Sequence, residues 1–271
     1  MNAKTEELLN FLLWTAEGLV RPTLRNLTES YEGWAYRNGL LRQLARLEKQ
    51  RLVERDPPSG SERFCRLTPR GRLRVLGGRD PEERWSRAWD GRWRIVLFDV
   101  PIHRNAQRDR LRRYLREKGF GYLQNSVWIS PDRLDAERDL LRSGKINVES
   151  LILFEARPCA GEADAEIVAG AWDFDRINGR YLRLLRVLEQ RPKGALRSEA
   201  SSQALRRWGK AEREAWLDAV LNDPLLPKRL LPAGYLGQQA WQRRLEVLRE
   251  AGRQTRTFGV PGMGQNHDVP A

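Results

Sequence analysis

Residues 36–55 carry side chains of the types that recognise nucleic acid. Apolar residues recur there at one-turn spacing, at Leu40, Leu41, Leu44 and Leu47. This spacing predicts a helix with one side against a core and the other side free to bond phosphates and base edges. In the major groove, arginine pairs with guanine, and glutamine or asparagine pairs with adenine. The candidate DNA-reading residues are Tyr36, Arg37, Asn38, Arg42, Gln43 and Arg46.

A hairpin with a Pro/Gly tip is predicted directly after this helix. The turn 56–60 lies between two short strands, 52–55 and 63–67. Arg63 and Arg66 lie on or beside the second strand, where they would contact phosphate or the minor groove. The chain has no acidic residue between Arg63 and Arg79, although it has six arginines from one to the other. The hairpin therefore extends the basic surface of the helix.

The overall charge also favours a polyanionic partner. Lysine and arginine number 49 against 36 acidic residues, which gives a formal net charge of +13. A basic surface attracts nucleic acid and raises association rates. The alternative is that the arginines only solvate helix faces. Clustering of the arginines favours DNA as the partner.

Other classes of protein find less support in the sequence. The two cysteines, Cys65 and Cys159, lack the spacing of metal ligands. The two histidines, His103 and His267, have no second histidine and no cysteine cluster beside them in the sequence with which to bind a metal. We expect no cofactor and no metal. The sequence shows no signal peptide and no membrane span, so we expect a cytoplasmic protein without membrane contact.

The predicted elements divide the chain into three domains of an α+β protein. Residues 1–78 show three helices and then the hairpin, which is the order of a winged helix-turn-helix. Residues 92–160 show strand, helix, strand pair, helix and strand, which is the ferredoxin-like order. Residues 166–253 show amphipathic helices only, at 174–190, 201–221 and 239–251. We expect the ferredoxin-like domain to form a homodimer.

Three segments together resemble the PaaX family of bacterial transcriptional repressors. They are the winged-helix pattern; the strings Trp93–Pro101 (WRIVLFDVP) and Gly119–Pro131 (GFGYLQNSVWISP); and the string Asp223–Pro232 (DPLLPKRLLP), followed by Gly237 and Trp241. The likeness covers nearly the whole chain except the tail. The pair Gly234-Tyr235 departs from the family, which usually has an acidic residue and Trp there.

The resemblance implies a dimeric repressor of a catabolic operon of the phenylacetate type. Such a repressor binds a palindromic double-stranded DNA operator and is released by an aryl-acetyl-coenzyme A thioester such as phenylacetyl-coenzyme A. An aryl thioester needs an apolar slot and arginines for its phosphates. The candidate effector-binding residues are Trp172, Arg180, Arg183 and Arg186.

The middle domain is also similar to the small CRISPR spacer-acquisition nucleases, which place a metal-binding aspartate where Asp99 lies. The alternative function is therefore a metal-dependent nuclease or a CRISPR-linked accessory protein. Phosphodiester hydrolysis needs metal held by converging carboxylates, and a two-fold dimer could bring two Asp99 side chains together. The simpler interpretation, which we favour, is a carboxylate that caps the turn at Val100-Pro101. We therefore expect no catalytic residue and no enzyme.

Overall fold

The computed structural model describes residues 3–16, 40–55, 65–99, 105–134, 150–159, 161, 163–194, 196 and 198–256. The chain divides into two compact units, each built from separate segments. The first unit comprises residues 1–75, 186–213 and 241–271, and the second comprises residues 76–185 and 214–240.

The first unit contains those parts of the predicted winged helix that the structure describes. Helices α1 (Ala3–Ala16) and α2 (Leu40–Lys49) precede the strands β1 (Val53–Arg55) and β2 (Cys65–Leu67), and α3 (Pro69–Val75) follows them. The strands pair antiparallel, with Val53 opposite Leu67, which confirms the hairpin. The predicted second helix, 23–29, and the hairpin tip lie outside the described residues. The winged helix-turn-helix as a whole therefore stays a prediction.

Thr68 fixes the approach of α3 to the hairpin. Its hydroxyl donates to the carbonyl oxygen of Arg51 at 2.7 Å and accepts from the amide of Gly71 at 3.0 Å, in the manner of an N-cap. A β-carbon at Gly71 would lie 1.9 Å from the carbonyl oxygen of Leu52. Only glycine allows α3 to pack this closely.

The second unit contains a four-stranded antiparallel sheet. Helix α4 (Pro81–Ser86) precedes strand β3 (Trp93–Asp99) and α5 (Asn105–Glu117); β4 (Gly121–Gln124), β5 (Val127–Ser130) and β6 (Ser150–Ala156) follow. The strand order β4-β5-β3-β6 is that of a ferredoxin-like sheet. Asn125, with a φ of 47°, lies in the turn that separates β4 from β5. Of the predicted second helix, 134–141, only Leu134 is described.

Each face of the sheet packs apolar side chains against a helix, because successive side chains of a strand point to opposite faces. One face packs Val96, Phe98 and Trp128 against α5, and the other packs Trp93 and Ile129 against α6 (Asp164–Ala171). This confirms the α+β class.

Helices form the rest of the described chain. They are α7 (Phe174–Glu189), α8 (Glu199–Leu221), a 3₁₀ turn at Lys228–Leu230, and α9 (Gly237–Arg256). The boundary between the two units falls within each of the three long helices. Among the described residues, no helix has the length and hydropathy needed to cross a membrane.

Candidate functional site

The second unit contains an open cleft of about 500 Å³ that combines aromatic and basic side chains. We call it the aromatic-basic cleft. Its aromatic lining is Phe120, Tyr122, Trp128 and Trp172. Its basic lining is Arg116, Arg176 and Arg180, and the carboxylates that line it are Glu117, Asp173 and Asp223.

The Trp172 ring is held in place by the turn that precedes β4. Its indole nitrogen donates to the carbonyl oxygen of Gly119 at 3.1 Å. A β-carbon at Gly121 would lie 2.7 Å from the ring. The sequence Gly119-Phe120-Gly121 therefore lets the indole pack directly on the backbone. Trp172 as a whole residue is 8% exposed, so its ring forms a fixed apolar wall.

The arginines of the cleft come from two helices. Arg116 of α5 lies over the Trp128 ring, with its guanidinium carbon 5.5 Å from the ring centroid. Arg176 is exposed, while Arg180 is largely buried and lies 3.5 Å from the carboxylate of Asp218. Arg176 and Arg180 of α7 are four residues apart, and this spacing, close to one helical turn, brings both side chains to one side of the helix. Trp172 lies just before α7 in extended backbone, with a φ of −131° and a ψ of 135°.

A buried carboxylate, Asp223, anchors the loop that closes one side of the cleft. It accepts hydrogen bonds from the Tyr181 hydroxyl at 2.6 Å, from the amide of Leu225 at 2.7 Å, and from the Tyr235 hydroxyl. Burial raises the pKa of Asp223 above its usual value, although these three donors oppose that shift. Burial and the neighbouring Asp223 raise the pKa of both tyrosines, so both hydroxyls keep their protons.

Arg79 fixes the backbone of the same loop. Its guanidinium donates to the carbonyl oxygens of Asp223 at 2.7 Å and Pro224 at 2.9 Å. Burial lowers the pKa of Arg79, and the nearby Arg84 lowers it further. A β-carbon at Gly119, where φ is 86°, would come within 3.3 Å of both Arg79 and Pro224. The cleft wall is thus a tightly fitted structure.

Only part of the predicted DNA-reading surface falls within the described residues. Tyr36, Arg37, Asn38 and Arg63 lie outside them. Arg42 and Arg46 are exposed on α2. Gln43 is buried, with 7% of its surface exposed, which corrects the expectation that it faces outward with them. Its spacing from Leu44 and Leu47 places it on the apolar side of the helix.

Arg66 is exposed on β2 and forms a cross-strand pair. Its Nε atom lies 2.7 Å from the carboxylate of Glu54, the residue opposite it in the hairpin. Both side chains are about half exposed. A phosphate could therefore compete with Glu54 for this guanidinium at little energetic cost.

The structure brings two of the four predicted effector residues together. Trp172 and Arg180 line the aromatic-basic cleft. Arg183 is not part of its lining; it is 68% exposed and lies 3.3 Å from Asp218. Arg186 is exposed and belongs to the first unit. The sequence analysis did not single out Arg116 and Arg176, although the four-residue spacing of Arg176 from Arg180 within the predicted helix 174–190 could have indicated Arg176.

Asp99 is exposed at the end of β3, opposite Ser150 of β6. Val100, Pro101, His103 and His267 lie outside the described residues, so the predicted cap is not tested. Across the described ranges, no three side chains of His, Cys, Asp or Glu lie together where they could hold a metal ion.

Two family models match the chain, in its central and C-terminal parts. The model described as PaaX protein central Cas2-like domain matches residues 86–168, and the model described as PaaX-like protein C-terminal domain matches residues 172–258. The chain belongs to the PaaX family, which confirms the resemblance seen in its sequence.

A curated protein and a solved structure extend this result. The transcriptional repressor PaaX of Escherichia coli (strain K12) is 27% identical over 243 residues, which are 85% of this chain and 68% of that protein. The uncharacterized protein Rv0674 from Mycobacterium tuberculosis has a similar fold, with a TM-score of 0.52 and 21% identity. That match covers 92% of this chain and 96% of the other.

Proposed function

We propose that this chain is a transcriptional repressor of a catabolic operon of the phenylacetate type. It binds a palindromic operator in double-stranded DNA as a homodimer, and phenylacetyl-coenzyme A or a similar aryl-acetyl thioester releases it. The observation that carries the proposal is the similarity to the Escherichia coli repressor along 85% of the chain.

DNA binding is assigned to the first domain, residues 1–78, as a winged helix-turn-helix. Exposed Arg42 and Arg46 on α2 support this assignment because they are one turn apart and open to a partner. Tyr36, Arg37, Asn38, Arg63 and Arg66 complete the proposed surface. A dimer would place two such helices about 34 Å apart, which matches the half-sites of a palindrome.

Effector binding is assigned to the aromatic-basic cleft. Trp172 and its aromatic neighbours offer an apolar wall to an aryl group, and Arg116, Arg176 and Arg180 offer donors to the phosphates of coenzyme A. A volume of about 500 Å³ suits the aryl-acyl end of such a molecule. The effector releases DNA to the extent that it binds the DNA-free form more tightly.

The remaining domains have distinct roles in this proposal. Residues 92–160 form the ferredoxin-like domain that joins two chains, and residues 166–253 form the helical domain that contributes Trp172, Arg176 and Arg180 to the cleft. The protein acts in the cytoplasm and is not an enzyme.

Footprinting on the DNA upstream of the protein's own gene tests the proposal. We expect protection of two half-sites with their centres about one helical turn apart. Adding phenylacetyl-coenzyme A should remove the protection, whereas free coenzyme A should leave it. Protection without two-fold symmetry would contradict the dimer, and protection that persists with every thioester would contradict effector release.

A further inference from the structure

Strand β6 forms one of the two edges of the four-stranded sheet in the second unit. It pairs with β3 over its whole length, from Ser150 opposite Asp99 to Ala156 opposite Trp93, without a shift in register. Its other side has no neighbour among the strands that the structure describes. The N–H and C=O groups along such an edge can pair with a further strand.

Two large apolar side chains of β6 are exposed to solvent. Ile152 is 48% exposed and Phe154 is 51% exposed. Because they are two residues apart in a strand, they point to the same face of the sheet. On that face, Leu97 lies opposite Ile152 and Ile95 lies opposite Phe154, and both are only partly buried. These four side chains form a continuous apolar surface, which we call the β6 patch, and such surfaces favour contact with a partner.

The opposite edge of the sheet, β4, lacks these properties. It has four residues, and its register with β5 shifts between Tyr122 and Gln124. Short strands and bulges are two of the means by which proteins keep sheet edges from pairing. Strand β6, in contrast, has seven residues and contains no proline, lysine or bulge. The difference between the two edges indicates that β6 is the edge suited to pairing.

The single charged residue of β6 does not oppose such pairing. Glu155 lies 3.0 Å from Arg92 and 3.5 Å from Arg94, both of the same chain. Its charge is therefore balanced within its own sheet. Because strand residues alternate, Glu155 also points to the face opposite Ile152 and Phe154.

The sequence of β6 suits a second copy of itself. Two identical strands related by a two-fold axis perpendicular to the sheet pair antiparallel. With the axis at Leu153, Ile152 of one copy lies opposite Phe154 of the other, and aromatic side chains stabilise β-branched ones across strands. An axis at Ile152 would place Phe154 opposite the small Ser150, and an axis at Phe154 would place Ile152 opposite Ala156. Only the axis at Leu153 pairs both large apolar side chains with each other.

We propose that β6 is the contact through which two copies of the chain associate. The two β6 strands pair antiparallel about Leu153, so that the two sheets become one and the two β6 patches meet along the new pair of strands. This inference rests on the homodimer of the proposed function and names its contact. The axis between the β6 strands would then be the two-fold axis that a palindromic operator requires.

Sedimentation of the full chain over a range of concentrations, without DNA, tests the contact. The native chain should form a dimer. The double variant I152E/F154E should raise the dissociation constant of the dimer at least about tenfold, because it removes apolar burial and places like charges opposite each other. Its circular dichroism spectrum should match that of the native chain, since both side chains are exposed. The control L182E changes a leucine of the same unit that is 43% exposed, and it should dimerise as the native chain does.

Cysteine cross-linking tests the register of the same contact with smaller changes of side chain. In a chain that also carries C65S and C159S, I152C is mixed with F154C and oxidised. The mixture should give a disulfide between two chains, because the two positions lie directly opposite each other. Either variant alone should give much less, because its own two copies are diagonal neighbours about 7–8 Å apart.

The outcomes separate this inference from the proposed function. A native dimer whose dissociation constant is unchanged in I152E/F154E would overturn the contact at β6 and leave the homodimer standing. Cross-linking that is no stronger in the mixture than in either variant alone would overturn the pairing about Leu153. A native chain that stays monomeric at every concentration would contradict both the contact and the homodimer.

Discussion

The arginines of α2 and the arginines that bond to the loop at residues 223–227 serve opposite purposes. Arg42 and Arg46 of α2 are exposed. Arg79 and Arg87, in contrast, are largely buried and donate to backbone carbonyl oxygens of the loop, and burial lowers the pKa of each. Exposed arginines can bind a partner at no cost to the fold, whereas buried arginines hold the fold itself. A high arginine content therefore does not measure the size of a DNA-binding surface.

Replacing Asp223 by alanine should give the largest loss of stability of all the substitutions considered below. It leaves the hydroxyl of Tyr181 and the amide of Leu225 buried without their acceptor. We expect the free energy of unfolding to fall by about 3 kcal/mol or more, measured by urea titration. The control Y235F removes one donor and should cost about 1 kcal/mol. An Asp223→Ala loss no larger than that of the control would contradict the anchoring role of Asp223.

The double variant R42A/R46A should lose DNA affinity and keep its stability, which is the opposite of the Asp223→Ala result. We expect operator affinity to fall about tenfold or more, because each lost contact to a base or phosphate is worth ~1–3 kcal/mol. Its urea unfolding should match that of the native chain, since both side chains are exposed. R253A, another exposed arginine of the first unit, is the control. Unchanged affinity and an unchanged salt dependence in R42A/R46A would remove α2 from the DNA surface.

A smaller effect, with a defined pH dependence, is expected from the pair of Asp90 and buried Arg94. Arg94 donates to the Asp90 carboxylate at 2.7 Å and lowers its pKa to about 2. Because the pKa of Asp90 is lower in the folded state than in the unfolded chain, the charged carboxylate stabilises the folded state at any pH above the usual carboxyl pKa of about 3.9. This contribution to the free energy of unfolding is lost as the pH falls through about 2.

Asp90→Asn should therefore destabilise the protein at neutral pH and have little effect near pH 2. Because the Asp90 side chain is 43% exposed, solvent screens the pair, and we expect a loss of about 1 kcal/mol. Unfolding of both proteins followed across the acid range checks this. A difference that stays constant with pH would show that the pair does not act through its charge.

The smallest effect is expected at Asp99. If its carboxylate has no catalytic role, Asp99→Ala should leave DNA intact to the same extent as the native chain in the presence of magnesium. The assay follows a labelled duplex and a labelled single strand over time. Magnesium-dependent cleavage by the native chain that Asp99→Ala abolishes would establish the nuclease alternative.

Local patterns predicted much of the fold. The apolar run that begins at Trp93 and ends before Pro101 predicted β3, and apolar spacing predicted α7, α8 and α9. The prediction that Gln43 faces outward was wrong, because it rested on the polarity of the side chain and not on the position of the residue in the helix. Residues 40, 43, 44 and 47 share one side of a helix, so position alone predicts that Gln43 is buried.

The candidate site was less predictable because distant segments form it. Tyr181, Asp223 and Tyr235 meet only after α7 and the loop pack together, and no local pattern signals that meeting. Arg183 looked equivalent to Arg180 in the sequence, yet the two differ in exposure from 68% to 17%. Three helical positions rotate by about 300°, which leaves the two side-chain directions only about 60° apart, so the spacing alone does not show which of the two arginines lines the cleft.

Anisotropy titration of the labelled upstream operator, with and without phenylacetyl-coenzyme A, tests the central claim most directly. The native chain should lose about tenfold or more in DNA affinity when the thioester is present. The variant R176Q/R180Q should bind the same DNA with native affinity but keep that affinity in the presence of the thioester. Equal operator affinity of the native chain with and without the thioester would contradict the account.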